Sequence, residues 1–315
     1  MLTVYRTENN TCVECPDVVP GTWVSLVSPS HNELQRVQEA LSIDLEWLTA
    51  ALDPDERARI ESEDGVLSIL LRIPIANEGS DEEEEEIEIP FYTRPLGLII
   101  KGDTLITVCT KPNTIIEDFA ASQVKRFDPH NHLRFILQVF YRASLRYLRL
   151  LREIDSRTSE IEKSLQSSSK NREVLRLLNF EKSLVFFSTS LRSNHLMMER
   201  FRKSAMMRHA TEDDEELLED VLIDNTQAIE MAKIYTNILS GLMDAFASVI
   251  SNNLNQEIKF LTQITIIVML PTLLASIYGM NIPLPFQDSP YAFEINMSLA
   301  ALLSLVGYAI VRSNR

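Results

Sequence analysis

The stretch "FLTQITIIVMLPTLLASIYGMNIPLPF", residues 260–286, decides how this chain is organised. No charged residue occurs from Phe260 to Gln287. That run exceeds the roughly 20 residues needed to cross a bilayer as a helix. A second uncharged stretch, Ile295–Val311, is shorter. It reaches about 26 Å at 1.5 Å per residue, and spans if Tyr291–Phe293 sit at the interface. Two transmembrane helices are expected, at about 257–280 and 292–312, joined by a loop over about 282–292. A buried hairpin in a soluble protein is the competing reading, but such a helix rarely stays charge-free this long. The exit from the first span raises a question of its own. Glycine or proline would suffice to stop a helix, so Asn281 needs another reason.

Flanking charge sets the orientation. Lys259 precedes the first span, and Arg312 and Arg315 follow the second. The connecting loop carries Asp288 and Glu294 and no Lys or Arg, so both termini are expected in the cytoplasm of a cell-membrane protein. The opening "MLTVYRTENN" lacks the basic-then-apolar layout of a signal peptide. The 315 residues carry a formal charge of −15, which argues against a nucleic-acid partner and suits cations. Three cysteines, Cys12, Cys15 and Cys109, are too few for a disulfide framework and fit a reducing compartment.

Upstream of the spans, "LTVYRT", "TCVEC" and "TWVSLVS" read as short strands. "SPSHNELQRVQEALSI" reads as a helix capped by Ser30, with Glu33 at the capping-box position. "DLEWLTAALDPDERARIESED" reads as one or two more short helices. "GVLSILLRIPI", "EEIEIPFYT", "LGLIIKG" and "TLITVCT" then read as strands, which gives an α/β domain over 1–110. Beyond Pro112 the pattern is helical. It gives a helix at about 131–166, a break at 167–171, a second helix at about 172–203, and a third opening near a Thr211/Asp214 capping box. Between that opening and Pro271 there is no proline, and the only glycine is Gly241. The third helix is therefore expected to run unbroken from a helical arm and stalk, 111–254, into a membrane domain, 255–315. The fold class is α+β.

Read at heptad spacing, that helix carries Ser248, Asn255, Thr262, Met269 and Ser276 at one position. Asp244, Ser251, Ile258, Thr265 and Thr272 fall at the companion position, and the two sets share a face. Within the membrane this stripe is small and polar, while the other faces are Ile, Leu, Val and Phe. Close helix packing and pore lining both account for such a stripe. Two features favour the pore. The polar character continues below the membrane to Asp244, where lipid-phase packing is not a reason, and the stripe points toward Asn281 at the other end. Repeated around a symmetry axis it makes a water-lined conduit, narrowed by Met269, Leu261 or Ile258.

"LPTLLASIYGMN" at 270–281, followed by a short loop, a second span and almost no tail, resembles the CorA family of divalent-cation transporters. The resemblance covers the whole layout. It implies a homopentamer in the membrane lipid whose first span lines a central pore. It also implies a selectivity loop of Gly279, Met280 and Asn281, with Asn255, Thr262, Met269 and Ser276 facing the pore. Mg2+ sheds water reluctantly, and a ring of amide oxygens accepts hydrogen bonds from a hydrated ion without stripping it. Gly279 is expected to permit a backbone turn, and Asp288 and Glu294 either attract cations or are plain loop acids. The chain departs from the pattern at "IPLPFQDSP", where many members continue Met-Pro-Glu-Leu, and at "VRSNR", where many carry a dense basic tail. The zinc transporter ZntB shares the Gly-Met-Asn signature. The transported ion is thus expected to be Mg2+, with Co2+, Ni2+ or Zn2+ as alternatives, and no organic cofactor is expected.

"DEEEEEIE" at 81–88 and "TEDDEELLED" at 211–220 hold much of the negative charge. Both can be solvated acids, the second also stabilising a helix N-terminus. By the resemblance, Asp220 is a regulatory metal ligand pairing with a neighbour's acid, Glu78 or Asp81, so that internal Mg2+ closes the channel. Asp244 is a second candidate. Cys12 and Cys15 have zinc-ligand spacing but no second Cys or His pair at suitable distance, and His130 and His132 precede a helix with no metal-ligand pattern evident in the sequence. With no P-loop, dinucleotide turn or nucleophile elbow, neither an enzyme nor a nucleotide-driven pump is expected. The rival from another class is a membrane-anchored coiled-coil scaffold, which needs neither the stripe nor Gly-Met-Asn.

Overall fold

The computed structural model describes residues 1–8, 11–77, 89–121, 123–124, 131–167, 171–285 and 289–313. They form two compact units, Met1–Met243 and Asp244–Arg315.

The first unit is built on a seven-stranded sheet. Its strands are β1 (Leu2–Glu8), β2 (Thr11–Cys15), β3 (Trp23–Val27), β4 (Arg59–Glu63), β5 (Val66–Ala76), β6 (Phe91–Lys101) and β7 (Thr104–Cys109). The order across the sheet is β2-β1-β3-β7-β6-β5-β4, and every pairing is antiparallel except β3 with β7. All six positions of β7 are buried, as expected of a strand covered on both faces. One face packs Val24, Leu26, Ile99, Ile106 and Val108 against α1 (His31–Leu41) and α2 (Leu45–Thr49). The other packs Trp23, Leu71, Leu98 and Leu105 against α3 (Thr114–Ala120) and three long helices. Those are α4 (His132–Ser167), α5 (Asn171–Arg202) and α6 (Glu212–Tyr278). Ser30 caps α1 through the expected capping box with Glu33. A Cβ on Gly97 would lie 2.8 Å from Ala51 Cβ, so glycine lets the turn after α2 press onto the sheet.

Two local expectations fail. Residues 59–63 are not helical. They form edge strand β4, paired with Val66–Leu70 of β5. The charged residues of this strand suit an exposed sheet edge, and its pairing across the tight Asp64–Gly65 turn overrides its helix formers. Residues 91–101 make one strand, not two. Pro95 is tolerated because the ladder between β6 and β7 begins only at Leu96, and on the other side Arg72 turns its backbone away from it. The Arg72 N–H donates to Asn194 Oδ1 at 2.9 Å, and the Arg72 carbonyl accepts from Asn194 Nδ2 at 2.8 Å. An amide of α5 thus completes β5 at the point where β4 ends. Tyr147 of α4 donates to the same carbonyl at 3.0 Å.

The long helices keep their expected positions. Thr211 Oγ1 accepts from the Asp214 N–H at 3.3 Å, and Asp214 Oδ2 accepts from the Thr211 N–H at 3.2 Å, closing the capping box of α6. Arg134 reaches Asp214 at 2.9 Å and fixes the start of α4 beside the start of α6.

Candidate ion pathway

The second unit holds the remainder of α6 and α7 (Ala292–Ser313). Its apolar windows have mean hydropathy of 2.0 in α6 and 1.4 in α7, with 0% and 6% of the residues buried within the chain. Both helices are long and apolar enough to cross a membrane. A helix is the form such a segment takes there, because it satisfies its own backbone groups.

The two helices meet along one face each. Gln263, Ile267, Leu270, Leu274 and Tyr278 of α6 are half-buried, as are Ala292, Asn296, Ala300 and Ser304 of α7, with Gly307 fully buried. A Cβ on Gly307 would stand 3.0 Å from Leu270 Cδ1 and 4.0 Å from Ile267 Cα, so this glycine sets the closest approach. Pro271 lies on the same half-buried face, and its missing N–H leaves the Ile267 carbonyl without its helical donor.

The polar stripe lies on the other side. At about 100° per residue, the line through Thr262, Thr265, Met269, Thr272 and Ser276 falls about 160–170° around α6 from the side that meets α7. Every expected pore residue is exposed in the isolated chain: Asn255, Ile258, Thr262, Thr265, Met269, Thr272 and Ser276, and Asp244 below them. Met269, the large member, is 67% exposed. The hydroxyls have a fixed polarity. Thr262 donates to the Ile258 carbonyl at 2.8 Å, Thr265 to Leu261 at 2.9 Å and Thr272 to Val268 at 2.8 Å. Each hydroxyl proton is therefore spent on the helix's own backbone, and only oxygen lone pairs remain to face outward.

At the end of the span, the Gly279 N–H donates to the Ala275 carbonyl at 3.0 Å and the Met280 N–H to Ile277 at 3.1 Å. The helix thus tapers through Gly279, which is not among the positive-φ glycines of the described residues. A turn that only glycine can make is therefore not its role. A Cβ there would meet the Ala275 and Ser276 carbonyls at 3.4 and 3.5 Å, ordinary contacts. Met280 and Asn281 are exposed, and Tyr278 donates to the Pro285 carbonyl at 3.1 Å, tying the loop back to the helix end. Glu294 is exposed in the first turn of α7. Asp288 lies outside the described residues, as do Glu78, Asp81 and His130.

Sequence reading missed two residues. Asp224 is half-buried one turn beyond Asp220. Burial raises its carboxyl above the ordinary range, and the charge of Asp220 raises it further. The i, i+4 spacing of two aspartates was the available signal. Asn296 donates to the Ala292 carbonyl at 3.0 Å, while its buried Oδ1 has no hydrogen-bond partner among the described residues. A polar residue inside the second span was its signal. Asp214 behaves in the opposite way to Asp224. Burial raises its carboxyl, but hydrogen bonds from Thr211 and Arg134 outweigh that and hold it low. No three His, Cys, Asp or Glu side chains converge on a metal-sized site among the described residues.

The relatives of the chain share this architecture. Over 295 residues it is 26% identical to the cobalt/magnesium transport protein CorA of Methanocaldococcus jannaschii, covering 92% of this chain and 89% of that protein. It is 24% identical to the magnesium transport protein CorA of Helicobacter pylori, covering 91% and 86%. The complete structure of the CorA magnesium transporter from M. jannaschii superposes with a TM-score of 0.78 over 99% of this chain and 97% of that one, at 23% identity, which establishes the fold. The CorA-like Mg2+ transporter protein family matches residues 21–312, and the chain belongs to that family of transporters.

Proposed function

We propose that copies of this chain assemble as a pentamer around the polar face of α6 and conduct Mg2+ across the cell membrane down its electrochemical gradient. One observation carries this reading: the stripe of Thr, Ser and Met on the first span is exposed and points away from the chain's own second span. Around an axis the back-bonded hydroxyls present acceptors alone, which suits an ion whose bound waters point their hydrogens outward. Asn281, with Gly279 and Met280, forms the mouth. Its neutral amide holds the hydrated ion less tightly than a carboxylate ring, so the ion leaves again. Met269 and Ile258 form the narrow apolar part, and Glu294 and Asp288 raise cation concentration outside. Both termini lie in the cytoplasm.

Closure by internal Mg2+ belongs to the same reading. Asp220, joined by Asp224, supplies carboxylates that repel one another until a cation lies between them. A neighbouring copy supplies the remaining donors, with Glu78, Asp81 and Asp244 as candidates. The experiment is flux into liposomes for Mg2+, Co2+, Ni2+ and Zn2+ in turn, comparing wild type with Asn281→Ala and Asp220→Ala. Asn281→Ala should lower Mg2+ flux by about tenfold or more, the cost of lost charge-assisted hydrogen bonds. Unchanged flux removes the mouth assignment. Asp220→Ala should conduct at internal Mg2+ levels that close wild type.

A further inference from the structure

The first unit contains a cleft of about 600 Å³ between the loop end of the β5–β6 hairpin, the Pro54 turn and α5. That volume lies within the range of small-molecule sites. Among the described residues, Arg72, Arg94 and Lys182 line it against one carboxylate, Asp55. This balance runs counter to the chain's formal charge of −15.

Arg72 is held rigidly by neutral groups alone. Its Nε donates to Ser190 Oγ at 3.1 Å and Thr93 Oγ1 at 3.3 Å. Its Nη1 donates to the Pro54 and Glu56 carbonyls at 2.9 and 2.6 Å, and its Nη2 to the Thr93 carbonyl at 3.1 Å. The guanidinium is thus satisfied as a donor but not neutralised as a charge. Burial lowers its pKa most; Tyr147 opposes this, the positive charge of Arg94 adds to it, and Asp55 and Asp53 oppose it more weakly. A half-buried cation with no direct ion pair among the described residues creates a positive potential that water screens poorly. Arg94 and Lys182 belong to none of the ion pairs among the described residues. Arg94 is held over the Tyr92 ring at 5.0 Å, which leaves its fork of N–H groups available. Phe186, 41% exposed, forms an apolar wall of the same cleft.

We propose that this cleft binds a polyphosphate anion, either inorganic or carried by a nucleoside. Arg94 grips one phosphoryl group with two donors, Lys182 neutralises a second as a point charge, and Arg72 supplies the field behind them. The proposal stands apart from the ion pathway, because every residue it uses lies in the first unit.

The test is calorimetric titration of the full chain in detergent, in Mg2+-free buffer, with inorganic triphosphate, ATP and adenosine as separate probes. The acids of 81–88 lie outside the described residues, but the chain joins them to Asn77 and Ile89, which line the cleft. A second protein, with Glu82 to Glu86 replaced by Gln, is therefore titrated in parallel. Both triphosphates are expected to bind at least one of the two proteins, and adenosine neither. Tighter binding of ATP identifies a nucleotide, and equal binding identifies the phosphates as sufficient. Arg94→Ala with Lys182→Ala should weaken the affinity about tenfold or more while leaving the thermal midpoint in place. Absence of binding to both proteins, or an affinity the double variant does not change, overturns the proposal.

Discussion

The two ends of α6 belong to one helix but live by different rules. In the first unit it buries Leu218, Val221, Leu222, Asn225, Ala228, Ala232 and Leu239 against other parts of the same chain. Beyond Asp244 none of its residues is buried, although this is the more apolar part. The contrast teaches where each part finds its partner. The first part has a core supplied by its own sequence. The second part offers one face to α7 and leaves the rest exposed, which is the surface the proposed assembly uses. The amide groups differ more than the hydroxyls. In the first unit Asn225 reaches across to the Leu191 carbonyl at 3.1 Å, whereas threonines turn their protons onto their own helix in both parts, Thr226 and Thr236 in the first and Thr262, Thr265 and Thr272 in the second.

Core truncation should separate the two parts most sharply. Phe135, fully buried between Trp23 and Phe119, should cost about 3–5 kcal/mol as Phe135→Ala. Leu261→Ala, at a site 66% exposed, should barely shift the melting of detergent-solubilised single chains. Equal losses in thermal unfolding would erase the distinction. Next in size, Gly307→Leu should cost about 1–3 kcal/mol by overpacking the α6–α7 contact, read as a lowered midpoint of the second unit; an unchanged midpoint means the two helices separate freely. Thr211→Ala should cost about 1 kcal/mol through the lost helix cap, lowering the melting of the first unit while leaving liposome flux per folded protein unchanged.

The smallest effect concerns two aspartates within three turns of α6. Asp214 is held low in the folded state, so it stabilises above the ordinary aspartate pKa of about 3.9, and that stability is lost as pH falls through its folded value. Asp224 is raised, so it weakens the fold above its raised value and ceases to do so as the pH falls through it. Asp214→Asn should therefore lower the thermal midpoint at pH 7 and have less effect near pH 3. Asp224→Asn should raise the midpoint at pH 7, and so should added Mg2+ in wild type. A matching response of the two variants at pH 7 would show that the environments of these carboxylates do not differ.

Much of this was legible in the sequence. The two spans, the long helix, the arm helices and the α1 capping box follow from charge, periodicity and caps, which act within a few residues. Both misread strands failed for a non-local reason. The sequence of β4 has no strand signal strong enough without β5 beside it, and Pro95 looks like a break until the ends of the neighbouring ladders are known. The stripe and Gly-Met-Asn were readable as a pattern, but Asp224 and Asn296 gained meaning only from what surrounds them.

By itself, then, the sequence determined which segments are helical, which are apolar enough for a membrane, and which residues share a face, because hydrophobicity and helical spacing are properties of neighbours along the chain. Tertiary structure alone decided that α7 covers the side of α6 away from the polar stripe, that Asn194 completes β5, and that Arg72 is held by hydrogen bonds to neutral groups. Those outcomes depend on groups up to 122 residues apart, and only the folded chain sets the distances between them.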